Sequence, residues 1–78
     1  MTKVIVRKLG KHGALGLADP ERKTIEIDPR QRPKQYFDTI LHEAIHIAFP
    51  ELSEAKTRKA TKIIRDILWN HGYRLVKL

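Results

Sequence analysis

His42-Glu43-Ala44-Ile45-His46 sets two imidazoles and a carboxylate in an HExxH array. On a helix of about 3.6 residues per turn, His42 and His46 lie one turn apart on the same side. Both rings can then reach one Zn²⁺ ion while Glu43 projects beside them toward an open coordination position. The chemistry such a set serves is hydrolysis, with zinc held by imidazole and Glu43 as general base for an attacking water. Because short motifs recur by chance, the surrounding sequence must supply a helix. Tyr36 to Phe49 does so: Phe37, Ile40, Leu41, Ala44, Ile45 and Ala48 form one apolar stripe, with His42 and His46 on its flank. The stripe is expected to face the core, which would put the imidazoles at a core edge beside a cleft.

A catalytic zinc site takes three protein ligands and a water, and HExxH supplies two. Glu54, in the first turn of a second helix, returns toward His46 if that helix packs antiparallel on the first. Glu51 is the runner-up, tethered in the turn beside Pro50. His71 sits at the far end of the second helix, and His12 lies in a glycine-flanked loop. Spacing favours Glu54 without requiring it, since an acid in the first turn is also favoured by the helix dipole. Asp38, one turn before His42, is placed to hydrogen-bond a ligand imidazole.

The elements that must position these groups are legible as patterns. Lys3 to Leu9 is rich in β-branched residues and reads as a strand. A glycine-punctuated stretch with a short apolar segment, Ala14 to Ala18, comes next, and Asp19-Pro20 marks a turn. Lys23 to Asp28 alternates as a half-buried strand, with Ile25 and Ile27 on one face. Pro29 to Pro33 is a basic connector, and Pro33 suits the first turn of the motif helix. Pro50 ends that helix. Ser53 caps a second helix, with Ala60, Ile63, Ile64, Ile67 and Leu68 as its apolar face and Asn70-His71-Gly72 as its stop. Tyr73 to Leu78 reads as a final short strand or ordered tail. The sum is an α+β fold: a small antiparallel sheet of about three strands packed on two antiparallel helices.

The 78 residues make one domain, 1–78, near the size at which a single core is only marginally sufficient. With no cysteine, a His/carboxylate metal site is the one cross-link available, so metal would add stability as well as chemistry. No apolar run is long enough to cross a membrane, and the first residues are too charged for a secretory signal, so the expected location is cytoplasmic. The net charge of +7 predicts attraction to polyanions or acidic partners. Arg58, Lys62 and Arg65, with Trp69, form a stripe opposite the apolar face of the second helix and are the candidate nucleic-acid contacts.

From Thr24 to Arg74 the chain resembles small HExxH proteins of phage and bacteria, relatives of minimal gluzincin-type (minigluzincin) and SprT-like zinc metallopeptidases. The residues that carry the likeness are TIEID, DTILHEAIHIAFPELSEAKT and ILWNHGYRL. The resemblance implies a minimal zincin-like fold and one Zn²⁺ per chain held by His42, His46 and Glu54. It further implies a peptide or protein substrate aligned by β-strand addition on an exposed strand such as Lys23 to Asp28. His71-Gly72 faintly echoes the third His of SprT-like proteins. No oxyanion residue is singled out, and His12, Tyr36, Tyr73 and Arg74 are candidates by chemistry alone. Two other readings compete with a peptidase: a basic nucleic-acid-binding module, and a catalytically inactive, zinc-stabilised adaptor or inhibitor.

Overall fold

Ile25 and Ile27 alternate along their strand with Thr24 and Glu26, and the period of two puts both isoleucines on one face. That face is the heart of the core: Ile27 is fully buried, Ile25 nearly so, and Leu9 is the third buried hydrophobic side chain. The computed structural model describes residues 1–10 and 13–76. They form β1 (Lys3–Val6), β2 (Gly16–Asp19), β3 (Thr24–Ile27), α1 (Pro33–Ala48) and α2 (Glu54–Asn70).

The sheet is mixed, in the order β1-β3-β2. β2 and β3 form an antiparallel hairpin whose turn is closed by Asp19, its Oδ1 accepting the Arg22 N–H at 3.2 Å, and by Lys23 in the left-handed region at φ 52°. β3 then enters beside β1 in parallel register, Val4 opposite Ile25 and Val6 opposite Ile27. The expectation of an antiparallel sheet is therefore corrected. β3, the most buried of the three strands, is central and paired along both edges, and the chain reaches that position by a hairpin inserted beside β1. Strand β2 itself, with glycine and alanine in a short segment, carries too weak a β-signal to be read as a strand.

Asp28 ends β3 and ties three segments together. Its carboxylate accepts the Leu9 N–H at 2.9 Å, the Arg30 N–H at 2.9 Å and the Arg30 guanidinium at 2.8 Å, while its own N–H donates to the Leu15 carbonyl. The Arg30 side chain first, then the two backbone N–H groups, hold this carboxyl far below the usual carboxylate range.

The helices depart from their sequence patterns in which face they bury. In α1 the buried residues are Thr39 and Glu43, whereas Ala44 and Ala48, on the apolar stripe, are exposed. In α2 they are Thr57 and Thr61, whereas Ile63, Ile64 and Ile67 are 51%, 38% and 63% exposed. On a wheel of 100° per residue, the buried line of α2 lies roughly 70° from the centre of its apolar face, and that of α1 roughly 150° from its stripe. Each threonine hydroxyl of α2 donates to the carbonyl one turn back, Thr57 to Ser53 at 2.9 Å and Thr61 to Thr57 at 2.8 Å. Their polar atoms are thereby satisfied and small side chains line the inter-helix contact. Tyr73 to Val76 forms no strand, and residues 77–78 of the expected final segment lie outside the described residues. No helix among the described residues is long and apolar enough to cross a membrane.

Candidate metal centre

Helix α1 begins at Pro33, whose missing N–H costs nothing at that position, and runs to Ala48. The Phe49 N–H closes on the Ile45 carbonyl at 2.8 Å, the Leu52 N–H on the Phe49 carbonyl at 3.0 Å, and Pro50 prevents the helix from continuing. Ser53 then caps α2, its Oγ accepting the Lys56 N–H at 3.3 Å. The tight reversal makes the helices antiparallel: Phe37 meets Trp69, Asp38 meets Arg65, and His42 and His46 meet Glu54. As the first residue of α2, Glu54 is thus returned to the motif.

The resulting cluster is tight. His42 Nε2 and His46 Nε2 are 3.1 Å apart, and the Glu54 carboxylate bridges them, Oε1 at 2.7 Å from His42 Nε2 and Oε2 at 3.3 Å from His46 Nε2. One ligand atom from each of the three residues lies within 4.8 Å of the others. In a tetrahedral zinc site with bonds of about 2.0–2.1 Å, ligand atoms are separated by about 3.3–3.4 Å; the three spacings here lie at or inside that separation, so the group could hold a single ion once its side chains part slightly. Both imidazoles are half-buried, while the Glu54 side chain is 54% exposed, so the cluster opens to solvent on the α2 side. At Glu54 partial desolvation acts upward. It is outweighed by the imidazoles and by hydrogen bonds from Arg58 and His42, which bring the carboxyl below its ordinary value.

Glu43 belongs to the opposite, sheet-facing side. It is 9% exposed, and its burial pushes the carboxyl above the usual glutamate value against the opposing pull of His42 and His46. The room it occupies is made by Gly16 of β2. A Cβ on Gly16 would stand 2.7 Å from Thr39 Cγ2, 3.0 Å from Glu43 Cγ and 3.1 Å from Glu43 Oε2. Beside it the Thr39 hydroxyl donates to Gln31 Oε1 at 2.7 Å, and the Gln31 amide donates to the Asp28 carbonyl at 2.7 Å. This support escapes a reading of the motif alone. The available signal is a glycine inside a short apolar segment, which marks a close backbone approach.

The other candidates fall elsewhere. Glu51 is exposed in the turn and outside the cluster. His71 stacks near Tyr73 at the far end of α2, with ring centroids 6.1 Å apart. Tyr36, Tyr73 and Arg74 line an apolar groove with Val4, Val6 and Trp69, and Arg74 lies 3.5 Å over the Trp69 ring. His12 lies outside the described residues. Asp38 does not hydrogen-bond an imidazole; it accepts from Arg65 Nη1 at 2.7 Å. Strand Lys23 to Asp28 is corrected as the site of β-strand addition. Its core, β3, is hydrogen-bonded on both edges, and the free edge next to α1 belongs to β2. No known family, curated protein or solved structure matches the chain.

Proposed function

We propose that this chain is a zinc-binding, metallopeptidase-like protein in which His42, His46 and Glu54 hold one metal ion and Glu43 serves as general base for peptide-bond hydrolysis. The observation that carries the reading is the convergence of three donors at metal-ligand spacing beside a fourth, buried acid that is not one of them. When bound, zinc supplies Lewis acidity toward an attacking water and a scissile carbonyl. The Glu43 carboxylate takes a proton from that water and passes it to the leaving amine, and its burial raises its basicity for the first transfer. A substrate backbone adds to the free edge of β2, where Gly16 lies against Glu43. The resemblance to minimal gluzincins supports the same division of roles.

Metal analysis of the purified protein tests the reading directly. About one zinc per chain is expected, with loss of that zinc in His46→Ala. Glu43→Gln should keep the zinc and lose hydrolysis of a peptide library, because the base is not a ligand. A native protein that binds no divalent metal sinks the proposal, and equal cleavage by Glu43→Gln removes Glu43 from the role given it.

A further inference from the structure

On the α2 side of the cluster, a groove of about 370 Å³ runs between the helices, lined by Asp38, His42, Arg58, Thr61, Lys62 and Arg65. It shares His42 with the metal centre, so whatever occupies it lies next to the ion. Its acids are already engaged. Asp38 accepts from Arg65 at 2.7 Å, Asp66 accepts from Arg65 at 2.8 Å, and the buried Thr61 hydroxyl donates to its own helix. Two cations retain donors. Arg58 touches Glu54 only through Nε, at 3.5 Å, and Lys62 has no ion-pair partner within 4.0 Å among the described residues.

The charges of the groove and its rim, Arg58, Lys62 and Arg65 against Asp38, Glu54 and Asp66, balance one for one. A divalent ion at His42, His46 and Glu54 ends that balance. It adds two positive charges and engages the one carboxylate that Arg58 contacts, leaving Arg58 and Lys62 side by side, one turn apart on α2, with only Asp66, already held by Arg65, to offset Lys62. We propose that this groove is a carboxylate subsite, in which Arg58 and Lys62 clamp an acidic side chain or the free C-terminus of a peptide bound at the metal centre. The proposal rests on the metallopeptidase reading for its substrate class. A guanidinium and an ammonium suit a carboxylate by charge-assisted hydrogen bonds. The already paired Arg65 forms the floor, with Asp38 and Asp66 holding its guanidinium in place. A carboxylate is favoured over a nucleic-acid backbone because Arg65 is consumed by Asp38 and Asp66, which leaves only the adjacent pair Arg58 and Lys62 with donors to offer, enough for one carboxylate and too few for a run of phosphates.

The test uses zinc-loaded Glu43→Gln protein, which cannot consume its ligand, and three labelled peptides of one length. The first has an internal Glu and an amidated C-terminus, the second Gln and a free C-terminus, and the third Gln and an amidated C-terminus. Anisotropy should show the first or the second binding about tenfold tighter than the third. Lys62→Gln should erase that preference while leaving affinity for the third peptide unchanged, and Arg58→Gln, which also loses the contact with Glu54, should erase the preference as well. Both side chains are exposed, and Lys62→Glu, which should reverse the preference, provides a second variant at the same position. Three equal affinities overturn the subsite. So does a preference that survives Lys62→Gln, because the carboxylate is then on the ion itself, and so does stronger competition by a single-stranded oligonucleotide than by the acidic peptide. Failure of the hydrolysis reading is seen separately. A charge preference without cleavage by the native protein removes catalysis and keeps the subsite, whereas cleavage without charge preference does the reverse.

Discussion

Along α1 the side chains turned to the sheet include a threonine and a glutamate, Thr39 and Glu43, while along α2 the isoleucines Ile63 and Ile67 stand more than half exposed. A burial-maximising arrangement would exchange these roles, since burying one isoleucine is worth about 1.5–3 kcal/mol and burying a carboxylate is unfavourable. The orientation that buries Thr57 and Thr61 is also the one that brings Glu54 to His42 and His46. On the helical wheel Glu54 lies roughly 40° from the buried Thr57–Thr61 line but roughly 110° from the centre of the apolar face. Turning that face to α1 would carry Glu54 away from His42 and His46. For α1, turning the Ala44–Ala48 stripe to the sheet would swing Glu43 out to solvent. Helix orientation in this chain accords with the cluster and leaves part of the apolar surface uncovered.

This contrast makes the sheet-side core small and each member of it expensive to lose. Ile27→Ala should cost about 2–5 kcal/mol in urea unfolding, the range for a fully buried branched side chain. A loss below about 1 kcal/mol would mean that the β3 face is not the core. Gly16→Ala should cost about 1–3 kcal/mol by overpacking against Thr39 and Glu43. It should also displace Glu43, so that peptide hydrolysis falls while zinc content holds. Unchanged stability with unchanged turnover would show that β2 does not press on the base.

Asp28→Asn removes the carboxylate that joins Leu9, Arg30 and the end of β3. Because its folded pKa is depressed, the native carboxylate stabilises the fold fully above about pH 4 and progressively less as the pH falls toward that depressed value. The stability gap between native and variant should therefore be widest near neutrality and narrow in acid, and a gap independent of pH would contradict the assignment. The smallest effect is expected on the apolar side of the comparison. Ile67→Ser, at 63% exposure, should shift stability by less than about 0.5 kcal/mol. A large loss there would show that this face is covered in the native protein.

How much was legible depends on the kind of signal. The turn around Pro50, the Ser53 cap and the span of both helices follow from local chemistry that acts within a few residues, and they appear where sequence puts them. Ile25 and Ile27 are buried as their alternation requires. Apolar periodicity does not point to the most buried line of either helix, although Phe37, Ile40, Leu41 and Ile45 of the α1 stripe are half-buried. It counts hydrophobic side chains and has no term for Thr57 and Thr61, whose hydroxyls are satisfied within their own helix, or for a carboxylate received by a glycine. Strand β2 and its contact with Glu43 went unread for the same reason, since glycine contributes by what it lacks.

By itself the sequence determined which groups are available: two imidazoles and an acid one turn apart on a helix, a proline-stopped reversal, and an acid opening the next helix. These are consequences of chain geometry over short separations. Only the tertiary structure decided that β3 lies between β1 and β2, that Glu54 rather than Glu51 or His71 faces the imidazoles, and that Arg58 and Lys62 share a groove with His42. Each of those outcomes depends on how two helices are rotated against one another and against a sheet. That rotation is set by the balance of side-chain fit, polar satisfaction and burial summed over the interface, a balance that no single stretch of sequence contains.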